Sequence, residues 1–375
     1  MTPVELSRTV LHAVRRAVDE GELRVTVPER VVVAPPRPGG CGDYATNVAL
    51  RLACPAGEPA RRVAEILRPH LLRDGGIAEV VVTGPGFLNI SLRSAAPVAL
   101  VQEILRCGPR YGHGDSLGGR LVRLRAPHEV RAVVHADALG RVLRSQGAVV
   151  RTGHDRPPEE AWSTVLGVDI HLDGPGDGHP DATDATDATD ATDATDATDV
   201  TDGTDATDVR VRPVPAPADP LPLGRDAARW ALLHPAPHDR PRIGAEHLVQ
   251  REDNPLFRVR YAHARTRALL RNAADLGFAP EPGPVTGADV QPLFQALADH
   301  PRVLAAAAAH RAPDRLARHL VAVADATPPL LPAVLPVGEE KPSAAHRARL
   351  ALADAAGTVL AGGLSLLGID APDHL

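Results

Sequence analysis

Residues 253–278 read DNPLFRVRYAHARTRALLRNAADLGF, and they set basic side chains at a helical spacing. Arg260, His263, Arg267 and Arg271 fall at i, i+3, i+7 and i+11, which is one face of an α-helix. Asn254 followed by Pro255 predicts the helix start, as cap and first-turn proline. Gly277 predicts its end. Phe257, Tyr261, Ala264 and Ala268 fall on an adjacent face, where the small alanines let a neighbouring helix approach. Guanidinium groups in a row suit phosphates, and an exposed Tyr261 could stack on an unpaired base. The same pattern also describes a solvated basic face over an ordinary bundle core, with Tyr261 buried. The residues alone leave both readings open.

Other catalytic chemistry is absent from the sequence. There is no GxxxxGK[ST] loop, no Gly-x-Ser-x-Gly elbow and no paired Cys or His spacing for zinc. Asp137 and Asp155 stand as isolated acids. Cys41, Cys54 and Cys107 have neither metal-ligand spacing nor an even-numbered framework, so they read as reduced thiols. The stretch HLDGPGDGHP and the aspartates after it lack the terminal bidentate acid of a calcium loop, and are expected to be a solvated linker.

The elements that must position the basic helix divide the chain of 375 residues into four parts, an α+β multidomain protein. Residues 1–115 predict a small α/β module, with helices over GDYATNVALRLA and PARRVAEILRPHLLRD and strands over AEVVVTG and GPGFLNISL. Residues 118–175 predict a reduced βαβ unit, from RLVRLRA through HEVRAVVHADALGRVLRSQG to AVVRT. One such unit leaves parallel strands bare unless something covers both faces, so it looks like a fragment of a larger sheet. Residues 176–219 predict a disordered linker, acidic and then proline-rich. Residues 220–375 predict an all-helical bundle.

Charge and composition bound the partners. From Asp181 to Asp208 ten aspartates recur at every third position, and without them the net charge of −6 becomes +4. The folded parts are thus mildly basic, which permits RNA binding. The tethered acidic tract is expected to compete with phosphates for those basic surfaces. Aromatics are so few, at 2%, that the cores must be built from Ala, Val and Leu. No apolar run is long enough to cross a bilayer, and the charged amphipathic N-terminus is not a signal peptide. The expectation is a cytoplasmic protein with no membrane partner.

Five motifs, in order and covering about two-thirds of the chain, resemble the arginyl-tRNA synthetase family, a class I synthetase family. GDYATNVALRLA and GPGFLNISL look like its N-terminal added domain, which leans on the tRNA elbow. GRDAARWALL is similar to the Asp-Ala-Leu-Arg motif of its anticodon-binding domain, here Asp226, Ala227, Ala228 and Arg229. DNPLFRVRYAHAR and the two C-terminal helices match the motifs that follow. The resemblance implies tRNA as partner, arginine tRNA first. On the anticodon side it implies contacts from Asn254, Arg260, Tyr261, His263, Arg265, Arg267 and the last residue, Leu375, where the family commonly has Met. On the elbow side it implies Phe87 and Asn89. Asp226 and Arg229 are expected to hold helices together. Neither DNA nor membrane is implied.

The middle of the chain departs from the family. A His-x-Gly-His signature should follow the first strand and bind the ATP phosphates, but only PHEVRAVVH stands there. The Lys-Met-Ser-Lys loop is missing as well, since the one lysine of the chain is Lys341 and VRVRPVPAPADPLPL occupies its place. The implied reading is a synthetase-like tRNA-binding protein with no catalytic residue, metal or cofactor. A chain that remained an arginine–tRNA ligase would need ATP and magnesium. A synthetase-derived scaffold would instead have a protein partner, such as a genuine synthetase.

Overall fold

The computed structural model describes residues 3–36, 42–92, 95–168, 206–285 and 289–375. The stretch HLDGPGDGHP, Cys41 and the aspartate repeat up to residue 205 lie outside them.

The N-terminal unit packs three helices on an antiparallel sheet. The helices are α1 (Pro3–Asp19), α2 (Val48–Ala56) and α3 (Ala60–Leu72). The strands are β1 (Val33–Ala34), β2 (Tyr44–Thr46), β3 (Ile77–Thr83) and β4 (Phe87–Leu92), in the order β1-β2-β4-β3. Leu6, Val10, Ala13, Val14 and Ala17 recur at helical spacing and are fully buried, which fixes the inward face of α1. This unit has its own apolar core, confined to residues 6–92.

The rest of the chain shares a second core. After α4 (Ala95–Cys107) come β5 (Leu121–Ala126), α5 (Val130–Arg144), β6 (Val149–His154), α6 (Glu160–Leu166) and β7 (Thr207–Arg210). The bundle adds α7 (Gly224–Leu233), α8 (Pro255–Asp275), α9 (Gln291–Ala309), α10 (Pro313–Ala326) and α11 (Ala344–Leu366). One apolar cluster runs from Leu100 in α4, through the sheet, to Ile369 beyond α11. Its aliphatic residues are almost all Ala, Val and Leu, as the composition requires. Close approach replaces bulk: a Cβ on Gly362 of α11 would lie 2.6 Å from the Pro109 carbonyl oxygen.

Three features of the element layout differ from the sequence expectation. Residues 44–46, assigned there to a helix, form β2, and α2 starts only at Val48, whose amide donates to the Thr46 hydroxyl. Residues 95–115, assigned there to the N-terminal module, contribute Leu100, Val101, Ile104 and Tyr111 to the second core. Residues 207–210, assigned to a disordered linker, form a strand. β7 pairs in parallel with β5, giving the order β6-β5-β7. The physical reason is Val209, which lies opposite Leu124 and is 4% exposed. The repeat unit Thr-Asp-Ala has become Thr207-Asp208-Val209 and so has an apolar anchor.

Helix α5 is joined to α7 by two buried guanidiniums. Arg131 is fully buried, and its N–H groups donate to five backbone carbonyls: Leu232, Val214, Asp239, Pro235 and Ala236, at 2.7–3.2 Å. Those around the end of α7 carry the negative end of the helix dipole. Arg229 of α7 is also fully buried, and it donates to the Asp137 carboxylate of α5 and to the carbonyls of Leu367 and Leu166. Asp137 is therefore not the isolated acid that the sequence suggested, because its own helix sets Arg141 beside it at 3.2 Å and the fold brings Arg229 to it from 92 residues away. Burial pulls both guanidiniums down, while Asp137 opposes this for Arg229.

Arg229→Met removes the buried partner of Asp137, leaving it only the partly exposed Arg141 at 3.2 Å, and also strips two carbonyls of their donor, so it is expected to cost about 3 kcal/mol in chemical denaturation. A loss below about 1 kcal/mol would contradict this role. A second expectation concerns pH. Burial pushes His300 down to about 3, and His319, His135 and His234 down to about 4. Above about pH 6.5 they are neutral in both states. Below it the unfolded chain takes up protons that the folded chain refuses, so stability falls from about pH 6.5 towards pH 4. The urea midpoint should drop steadily from pH 7 to pH 5, and less steeply in His319→Gln; a midpoint constant over that range would refute the expectation.

Candidate nucleic-acid interface

The candidate surface is organised by the first turn of α8 and by the C-terminal tail. Asn254 caps α8 by accepting from the Leu256 amide at 3.1 Å. Its Nδ2 donates to the carbonyls of His247 and Val249, which ties the preceding segment to the helix. At 5% exposure it is a buried organiser of the surface.

The tail turns back after α11 at Gly368, whose φ is +72°; a Cβ there would collide with the Arg229 guanidinium. Residues 370–375 then run along α8. The Asp370 amide donates to Asp226 Oδ1, and Asp226 Oδ2 pairs with Arg260 at 3.3 Å. Buried His263 meets the Pro372 carbonyl through Nδ1 at 3.0 Å, and burial lowers its pKa. Arg267 pairs with Asp373 at 3.0 Å, and Arg271 donates to the Asp373 carbonyl and contacts His374. Thus the four basic residues of the helical stripe are engaged within the chain. The spacing placed them correctly on one face, but it gave no sign that the acidic tail would cover that face.

What remains open lies beside the stripe. Tyr261 is 46% exposed and stacks on Phe257 at 5.4 Å with an interplanar angle of 26°. Arg265, one turn further along α8, is exposed. Leu375 is 50% exposed at the rim of a cleft of about 300 Å³. Asp226, Arg260, Leu248, Val249 and Phe257 also line this cleft. Leu248 and Val249 were missed from the sequence. Their signal was an apolar pair inside the polar loop GAEHLVQRED.

On the N-terminal unit, Phe87 is half-buried at the start of β4 and pairs with Thr83 across the hairpin. Asn89 is 3% exposed, and its Nδ2 donates to Thr83 Oγ1 at 2.6 Å. Its side chain is thus spent on joining β4 to β3, because an amide inside a sheet must find a partner. Asp226 and Arg229, expected to hold helices together, do so. Among the described residues one group has metal-ligand spacing, Glu20, Glu22 and His70. Arg73 binds Glu20 and His70 binds Glu22, each at 2.7 Å.

These placements predict two different responses. Asn254→Ala removes a cap and two loop bonds, and should cost about 1–2 kcal/mol of stability. Tyr261→Ala on the exposed side should change stability by less than about 1 kcal/mol. Denaturation of the two variants that gave the reverse order would show the surface to be wrongly placed.

Comparison with known proteins gives matches at both ends of the chain. Residues 5–92 match the arginyl tRNA synthetase N terminal domain, and residues 259–375 match the DALR anticodon binding domain. An arginine–tRNA ligase of Frankia alni is 28% identical over 556 aligned positions that cover 100% of both chains. An arginine–tRNA ligase of Micrococcus luteus is 39% identical over 165 residues, 40% of this chain and 30% of that protein. Among solved structures, the arginyl-tRNA synthetase of Thermus thermophilus superposes with a TM-score of 0.66 at 16% identity, covering 100% of both chains. That of Plasmodium falciparum gives 0.67 at 9% identity, covering 100% of this chain and 99% of its own.

Proposed function

The chain belongs to the arginyl-tRNA synthetase family, and from that premise we propose that it binds tRNA without aminoacylating it. The observation that carries this reading is at the start of α5, the helix that follows the first strand of the parallel sheet. A phosphate-binding helix must present free amides at its N-terminus. Here the Glu129 carboxylate accepts from the amides of Arg131 at 3.1 Å and Ala132 at 2.8 Å, and also from Ala216 at 3.0 Å. The site is filled by an anion of the chain itself, and Arg131 beside it is committed to five carbonyls.

Two further observations support the reading. An alignment of 556 positions can span a chain of 375 residues only by leaving a large part of the relative unmatched. The only lysine, Lys341, lies just before α11 and far in sequence from the sheet. ATP activation needs its charge-stabilising groups pre-positioned around the phosphates, and the sequence has neither the His-x-Gly-His nor the Lys-Met-Ser-Lys signature that would supply them. A second reading, a working arginine–tRNA ligase, is favoured by the full-length match to proteins of that name.

In the proposed binding mode, Tyr261 offers a stacking face, Arg265 an exposed guanidinium and Leu375 an apolar contact at the cleft. Phe87 serves the opposite end of the RNA. The residues engaged inside the chain, Asn254, Arg260, His263, Arg267 and Asn89, shape these surfaces.

Two assays separate the readings. ATP–pyrophosphate exchange with arginine and tRNA present is expected to stay at background, and exchange above it would establish the ligase. Total tRNA should bind the purified chain, and Tyr261→Ala with Arg265→Ala should weaken binding about 10-fold or more, as expected from removing one stack of about 1–3 kcal/mol and one phosphate ion pair. Absence of RNA binding at low salt, with a protein co-purifying instead, would give the bundle a scaffolding role.

A further inference from the structure

The parallel sheet β6-β5-β7 has one apolar face and one cationic face. Val122, Leu124 and Ala126 of β5, Val150 of β6 and Val209 of β7 point to the core. Strand alternation sends Arg123 and Arg125, Arg151, and Asp208 and Arg210 to the other side. The register aligns them in rows: Arg123 lies between Arg151 and Asp208, and Arg125 lies beside Arg210. Helix α5 packs on the sheet, and among the described residues no other helix packs extensively on it. Arg151 and Arg210 are exposed, and the Arg125 side chain is 62% exposed. Asp208 is the only acid in the three strands, and it lies 3.9 Å from Arg125 in an exposed pair.

A parallel sheet normally has both faces covered, so its strands are apolar on both sides. This sheet alternates, and four of its outward positions hold arginine. The scarcity of lysine explains why the cation is arginine. It does not explain why two pairs of like charges, Arg123 with Arg151 and Arg125 with Arg210, each sit one strand spacing apart, where they repel. Such a face gains when an anion is laid over it. Its apolar outward residues, Leu121 and Val149, sit together at one end with no aromatic in the strands beside them. A protein partner would want a desolvated aromatic or aliphatic anchor at the centre. A run of phosphates needs only spaced guanidinium forks, which bind phosphate oxygens in pairs.

We propose that the outward face of β6-β5-β7 is a sequence-blind binding surface for the phosphate backbone of structured RNA. The choice of RNA rests on the proposed tRNA-binding function, but the surface itself is distinct from Tyr261, Arg265 and the cleft. It lies on the parallel sheet, so the two surfaces can be disabled separately.

The test uses the full chain and two probes, total tRNA and a blunt RNA duplex without a loop, each titrated at several salt concentrations. The variant carries Arg123→Gln, Arg125→Gln, Arg151→Gln and Arg210→Gln together; Arg125→Gln with Arg151→Gln is the milder version if the first fails to fold. Each phosphate that is no longer neutralised should flatten the slope of log K against log salt by about 0.7–0.9. The fourfold variant should therefore flatten it by about 3–3.5 for both probes, and the double variant by about 1.5. Duplex binding by the wild type that the fourfold variant loses, with no preference for tRNA, would uphold this surface and sink the tRNA reading. Tight tRNA binding with slopes unchanged by either variant would overturn the surface and leave the tRNA reading intact. Slopes that the variants leave unchanged, but that steepen on deletion of residues 181–205, would assign the face to the chain's own aspartates and overturn the proposal.

Discussion

The burial of Arg131 is the constraint on which the larger half of the molecule depends. A guanidinium has five N–H groups and cannot be neutralised at any physiological pH. Enclosing it among backbone carbonyls is tolerable only if every donor finds an acceptor, since an unmade bond to a buried charge costs several kcal/mol. Five backbone carbonyls, from Val214 to Asp239, meet that demand. They come from the end of α7 and from the chain on both sides of it, so satisfying one side chain fixes three segments at once. Arg229 acts in the opposite direction, from α7 back to Asp137 of α5, and also holds Leu166 and Leu367. Together the two residues explain why the small parallel sheet and the helical bundle share one core. The N-terminal unit keeps a core of its own.

The second arginine also reaches the candidate interface. Its carbonyl partner Leu367 precedes the Gly368 turn, and that turn sends the last residues along α8. There the tail engages His263, Arg267 and Arg271. The position of Leu375 at the cleft is thus set by packing that begins at Arg229, more than 20 residues before α8. Residues of the bundle motif that face the core do the positioning, and few of the motif's residues are left to touch a ligand.

Helix boundaries were largely legible in the sequence because they have local causes. Asn254 with Pro255, the run of apolar residues in α1 and the Gly277 stop are each decided within one or two turns. The α/β character of the N-terminal unit was legible for the same reason, but its strand β2 was not. The joints were not. Nothing in the local sequence marks Arg131, and Asp137 read as an isolated acid. The carbonyls that hold Arg131 are between 83 and 108 residues away in the chain, and the buried partner of Asp137, Arg229, is 92 residues away, although Arg141 pairs with Asp137 from the next turn. β7 was not legible because it rests on a single apolar residue, Val209, at the end of an acidic repeat. The basic stripe lies on one face as its spacing predicts, but its pairing with Asp226 and Asp373 was not legible, since it depends on tertiary structure.

These errors share a physical origin that bears on how sequence motifs inform function. A motif such as GRDAARWALL or DNPLFRVRYAHAR is constrained by whatever its residues touch, and most of them touch the protein. Arg229, Asn254 and His263 are between 0% and 5% exposed. Their recurrence in a family would follow from packing alone, whether or not a ligand is ever bound. Evidence for ligand binding must come from side chains that the fold leaves exposed: Tyr261, Arg265 and Leu375 on the bundle, and Arg125, Arg151 and Arg210 on the outward side of the sheet. A cation held in water contributes almost nothing to folding. Its presence at several adjacent positions is therefore better explained by an anion that binds there than by the stability of the chain.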